Sequence, residues 1–154
     1  MGEDKAELTD TREEEKHSFL ASIVETSDDA VIGIMLDGTI LSWNSGAQEI
    51  YSYSADEVIG KSISILVPPD RPDESSQLLK RIKQKESIKG FETVRMRKDG
   101  KQIDTSLTIS PIKDSTGMII GTSTIARDIT EHKLAEMLSL DQSLVPAMGM
   151  KHDG

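Results

Sequence analysis

The sequence predicts an α+β domain, an antiparallel sheet with its helices gathered on one side. Three observations point there. Asp37-Gly38 and Asp99-Gly100 each separate two apolar runs, the strongest short-range signal for a β-hairpin. Ile103, Thr105, Leu107 and Ile109 alternate with Asp104, Ser106, Thr108 and Ser110, the period of a sheet with two different faces. Helix signals stand apart from these strands, at the start, between the hairpins and near the end.

The elements follow in order. Residues 1–10 form an acidic leader, expected to be disordered. Thr11-Arg12-Glu13-Glu14 has the hydroxyl-to-acid spacing of a capping box, which predicts a helix over 11–27. Its apolar stripe is Phe19, Leu20, Ile23 and Val24. A core domain over 28–130 comes next. It opens with a hairpin, Ala30–Leu36 and Thr39–Trp43, whose Asp-Gly turn calls for positive φ at both central residues. Ser45 with Gln48, and Ser54 with Glu57, predict two short helices, the second ending at Gly60. Pro72 suits the first turn of a longer helix, with Asp73 and Glu74 near its positive end and Leu78, Leu79 and Ile82 buried. Phe91–Arg97, the alternating run after Gly100, and Met118–Arg127 read as strands. Thr130 caps an exit helix over 131–140, and the tail 141–154 is expected to be disordered.

Composition removes several function classes. No apolar run approaches the roughly 20 residues that cross a bilayer. The acidic start is unlike a signal peptide, so a cytoplasmic protein is expected. With no cysteine there is no disulfide and no thiolate metal site. The net charge is -9, yet residues 1–30 hold ten acids against three bases, so the remainder is nearly balanced. Its bases form no stripe, which argues against nucleic acid. No Gly-rich phosphate loop, metal-ligand cluster or nucleophile–base pair is visible, so no catalytic residue and no metal are assigned.

Two stretches resemble a known family. ILSWNSGAQEIYSYSADEVIGKS resembles the PAS pattern of a strand ending in Asn, a short helix, then Y-S-x-x-E-V-I-G-K. ETVRMRKDGKQIDTSLTISPIKDSTGMIIGTSTIARDIT is similar to the C-terminal PAS signature. The resemblance covers residues 17 to 133. It implies a five-stranded antiparallel sheet whose concave face, closed by short helices, shelters a small molecule. It also implies a sensory domain of the kind found in prokaryotic signal-transduction proteins. The output would pass to an effector such as a histidine kinase, in the same protein or a partner.

The resemblance brings candidate ligands with it. Haem is disfavoured, because residues 61–87 contain no His, and His17, His132 and His152 read as solvated surface. A cysteinyl-flavin adduct is excluded by the missing cysteine. Non-covalent flavin stays open, although Trp43, the single large platform, reads more simply as core. By alternation the inward face comprises Ile32, Ile34, Phe91, Thr93, Arg95, Ile103, Thr105, Leu107, Ile109, Thr122, Thr124 and Ala126. The threonines also suit any strand. An inward Arg95 needs an anion. The leading reading is that it faces solvent or pairs with a protein acid; the alternative is a carboxylate ligand held bidentately.

Asp128-Ile129-Thr130 lies where the last strand becomes the exit helix. Asp and Thr there can cap that helix, and the family implies a signal relay. The stripe Phe19, Leu20, Ile23 and Val24 is too apolar for water, so it covers the outer sheet face near Val94 and Met96 or packs on a second copy. A homodimer is expected. Lys61 and Glu92 are an expected ion pair. The functional expectation is a sensor of a small molecule or cytosolic signal, with a ligand-free dimerisation module as the alternative.

Overall fold

A computed structural model of the chain describes residues 2–139, with side chains over 11–139. Ten elements run in the order α1 (Gly2–Thr26), β1 (Ala30–Met35), β2 (Ile40–Trp43), α2 (Ser45–Tyr51), α3 (Ala55–Val58), a 3-10 turn (Ile63–Leu66), α4 (Glu74–Lys83), β3 (Ile88–Met96), β4 (Gln102–Lys113) and β5 (Ile119–Asp128). A further helix, α5, is described over 130–139. The strands form one antiparallel sheet in the order β2-β1-β5-β4-β3. The fold is the α+β architecture expected, with five strands and helices over one face.

Local chemistry explains each hairpin. Met35 pairs with Thr39 across Leu36-Asp37-Gly38, and Arg97 with Lys101 across Lys98-Asp99-Gly100. In both turns only the glycine has positive φ, +93° and +84°, so the expected pair of positive-φ residues is not used. The loop holds three residues rather than two, and in such loops a single left-handed residue closes the turn. The aspartate works differently: Asp37 Oδ1 accepts from Thr39 N–H, and Asp99 Oδ1 from Lys101 N–H, both at 2.9 Å.

Some boundaries move. Helix α1 begins at Gly2, not at Thr11. Glu3, Lys5, Ala6, Glu7 and Leu8 of the leader favour helix over coil, and α1 runs on through them. Asn44, not Ser45, caps α2, its side chain accepting from Ala47 N–H at 2.9 Å. The cap of α4 is Asp73, which leaves Pro72 just outside the helix. The tail 141–154 lies outside the described residues.

The core lies between the concave sheet face and the short helices. Ile32, Ile34, Ile103, Leu107 and Ile109 from the sheet meet Ala47, Tyr51, Val58, Leu66, Leu78 and Ile82 from the helical side. Burying each large aliphatic side chain contributes roughly 1.5–3 kcal/mol. Trp43 belongs to this core: its ring lies 5.6 Å from that of Tyr51, and its Nε1 donates to Tyr53 O at 2.9 Å.

Candidate functional site

The register places alternate residues of three strands toward the helices. Ile32, Ile34, Leu107, Ile109, Thr122 and Thr124 line one cavity of about 50 Å³, together with Arg95. The helical wall adds Tyr51, Ile63, Leu66, Ser75, Leu78 and Leu79, which the sequence reading did not assign to the site. Of the other expected residues, Thr93, Ile103, Thr105 and Ala126 are buried outside the cavity wall, and Phe91 is half-buried against the core.

Polar chemistry concentrates at the end of β3. Arg95 is inward-facing, with its side chain 6% exposed. Its anionic partner is a protein acid: Nη1 donates to Glu74 Oε1 at 2.5 Å and to Val94 O at 2.9 Å. The Thr93 hydroxyl donates to the same Glu74 oxygen at 2.7 Å. Arg71 Nη1 reaches Glu74 Oε2 and Thr93 Oγ1, each at 3.3 Å. Burial pushes the Glu74 carboxyl upward, but the Thr93 hydroxyl and the Arg95 and Arg71 guanidiniums outweigh it and hold it below the ordinary carboxylate value. Burial likewise raises the Tyr51 phenol; Arg95 opposes that rise and Asp128 adds to it.

On β5, along the same sheet, the Thr122 hydroxyl is buried with no hydrogen-bond partner. Such a group costs about 1–3 kcal/mol unless something pairs with it. The flavin alternative does not fit this arrangement. The cavity is about 50 Å³, far below the roughly 300 Å³ or more of pockets that hold drug-sized ligands, and no Asn or Gln lines it.

The two flanking helices meet the sheet at one end. Asp128 Oδ1 accepts from Thr130 N–H at 3.0 Å and from the Thr130 hydroxyl at 2.6 Å. Thr130 Oγ1 in turn accepts from Asp104 N–H at 3.1 Å, and Ile129 N–H donates to Asp104 O at 2.9 Å. Lys133 pairs with Glu92 at 2.9 Å, so Glu92 ties α5 to β3 in place of the expected pair with Lys61. Lys133 sits one helical turn into α5 and can reach across to β3.

On the other side, buried Asn44 holds α1. Its Oδ1 accepts from Val31 and Ala47 N–H, and its Nδ2 donates to Val24 O at 2.7 Å and Asp29 O at 3.0 Å. In the sequence this asparagine is marked only as the end of the strand in the family pattern, and the capping spacing points to the neighbouring serine. Phe19, Leu20, Ile23 and Val24 all stay exposed, Phe19 at 67%, so this stripe of α1 does not cover the outer sheet face of its own chain. Among the described residues, no group of three or more His, Cys, Asp or Glu is placed to hold a metal ion, and no helix is long and apolar enough to cross a membrane.

Comparison with known proteins agrees with this geometry. The PAS crystal structure from Colwellia psychrerythraea is 28% identical, with a TM-score of 0.68 over 74% of this chain and 97% of that one. The PAS domain of an HTR-like protein from Haloarcula marismortui is 25% identical, with a TM-score of 0.67 over 80% and 99%. Two-component system protein A of Emericella nidulans is 33% identical over 135 residues, which span 86% of this chain but 20% of that protein. The chain thus spans about a fifth of the length of that curated relative. The PAS domain family model matches residues 28–131. The chain belongs to the PAS domain family.

Proposed function

We propose that this chain is a sensory PAS module that takes a small molecule into the cavity beneath its sheet and passes the signal through its flanking helices. The observation that carries the reading is the cavity itself, with a charged residue and an unpartnered hydroxyl in its wall. An inert core would fill such a space with aliphatic carbon, because a buried polar group without a partner is costly. Asp128, Ile129 and Thr130 are the proposed relay, and Asn44 the matching junction for α1. The likeness to a two-component system protein supports an effector such as a histidine kinase, in the same protein or a partner. Within this reading the module acts in the cytoplasm and is not itself catalytic.

A second reading is a ligand-free dimerisation module, favoured by the four uncovered apolar side chains of α1. Native mass spectrometry and a thermal-shift screen separate the two. On the first reading a ligand at a hundredfold excess over Kd stabilises the fold by about 2.7 kcal/mol, roughly 5–10 °C in Tm. A chain that carries no bound species and never shifts in a broad screen leaves only the second.

A further inference from the structure

We infer that the cavity recognises a short aliphatic carboxylate, and that Glu74 is a resident counter-anion which this ligand displaces from Arg95. The inference rests on the sensory reading above and names its ligand class.

Charge is the first argument. Arg71 and Arg95 converge on one carboxylate, so the cluster carries two cations and one anion. Glu74 divides its oxygens between them, Oε1 to Arg95 and Oε2 to Arg71. It therefore satisfies neither guanidinium with the two parallel bonds that make Arg–carboxylate pairs strong. A second carboxylate would balance the charge and could engage Arg95 bidentately.

Position is the second argument. Glu74 opens α4, and the next turn of that helix, through Ser75, Leu78 and Leu79, forms part of the cavity wall. Arg95 lines the same cavity while almost wholly buried. A carboxylate entering there competes with Glu74 for one guanidinium. Release of Glu74 frees the first turn of α4 from β3, which turns binding into movement of a wall element.

The third argument is Thr122. Its hydroxyl lies in the wall contributed by β5, 1% exposed and without a partner. Aliphatic side chains dominate the rest of the lining. The matching ligand has a small apolar body, a carboxylate at one end and a hydroxyl or carbonyl oxygen for Thr122. The cavity of about 50 Å³ restricts it to a few carbons.

The test is calorimetric titration and thermal shift of the full chain with butyrate, 4-hydroxybutyrate, 4-oxobutyrate and the neutral isostere butyramide. The acids should bind at least tenfold more tightly than the amide. Thr122→Val, similar in shape, should erase any preference for the oxygenated acids over butyrate and leave butyrate binding intact. Glu74→Gln removes the competitor: butyrate should bind it severalfold more tightly and recover the Tm that the substitution loses. Arg95→Gln should abolish the preference for acid over amide. Equal binding of amide and acid, or weaker binding of butyrate to Glu74→Gln than to the natural chain, overturns the carboxylate inference and leaves a sensory cavity in place. Failure of every charged and neutral compound, in these titrations and in the broad screen, overturns both.

Discussion

Glu57 shows how one side chain can hold two elements together at the surface. Its carboxylate accepts from Ser54 N–H at 2.9 Å, closing the first turn of α3, and also pairs with Lys98 in the β3–β4 turn. The Lys98 hydrogen bond, and then the Ser54 backbone, pull its pKa from 4.5 down to about 2. A folded value below the unfolded one contributes stability that is complete above the unfolded pKa and is lost as pH falls through the folded one. The window therefore runs from 4.5 down to about 2. Glu57→Gln should flatten the loss of Tm across that window and leave the profile above it parallel to the natural chain. An unchanged acid limb in differential scanning calorimetry would contradict the assignment. The Ser54–Glu57 spacing was legible in the sequence because a capping box is local. Glu74 with Arg95 was not, because 21 residues separate them and only the folded sheet brings them together. Sequence alternation pointed Arg95 inward but could not name its partner.

At the scale of elements, the junction of α1, β1 and α2 is built on backbone contact. A Cβ on Gly46 would lie 2.2 Å from Asp29 O and 2.5 Å from Ser27 O, and neither carbonyl can rotate away as a side chain would. Helix α2 therefore seats directly on the linker that leaves α1. Asn44 stitches the same three elements, and Ser45 Oγ donates to Glu25 O at the end of α1. Gly46→Ala should force the linker outward and destabilise the fold by about 1–3 kcal/mol, the usual range for overpacking. Hydrogen exchange should show the added opening in the last turn of α1 and the start of β1, with β4 unchanged. Uniform exchange across the chain would mean that the junction has no separate mechanical identity. Period-two strands were readable because burial on one face imposes alternation, as in Ile103 to Ile109. This junction was not, because a glycine pressed against a carbonyl and an asparagine with four bonds leave no periodic trace.

At the scale of the whole molecule, both flanking helices leave from neighbouring strands at one end of the sheet. Ala30, which opens β1, pairs with Ala126 near the end of β5, and Arg127 spans the two through bonds to both oxygens of Asp29, at 3.2 and 3.3 Å. Beyond this clamp α1 exposes Phe19, Leu20, Ile23 and Val24, and α5 exposes Leu134, Met137 and Leu138. Helices with uncovered apolar stripes are stable partners for one another, since each buried side chain is removed from water. A second copy related by a two-fold axis would supply such a partner for both stripes at once. We therefore expect a homodimer whose interface includes α1, so that motion of the sheet end changes how the copies meet. Phe19→Glu with Ile23→Glu replaces two side chains that touch little within the protomer, so each should change its intrinsic stability by no more than about 0.5 kcal/mol. Sedimentation equilibrium should show the natural chain as a dimer and the double variant as a monomer, with the sheet's far-ultraviolet signal retained. A natural chain that remains monomeric at the highest soluble concentration removes the interface, and with it the route from the sheet to a partner copy.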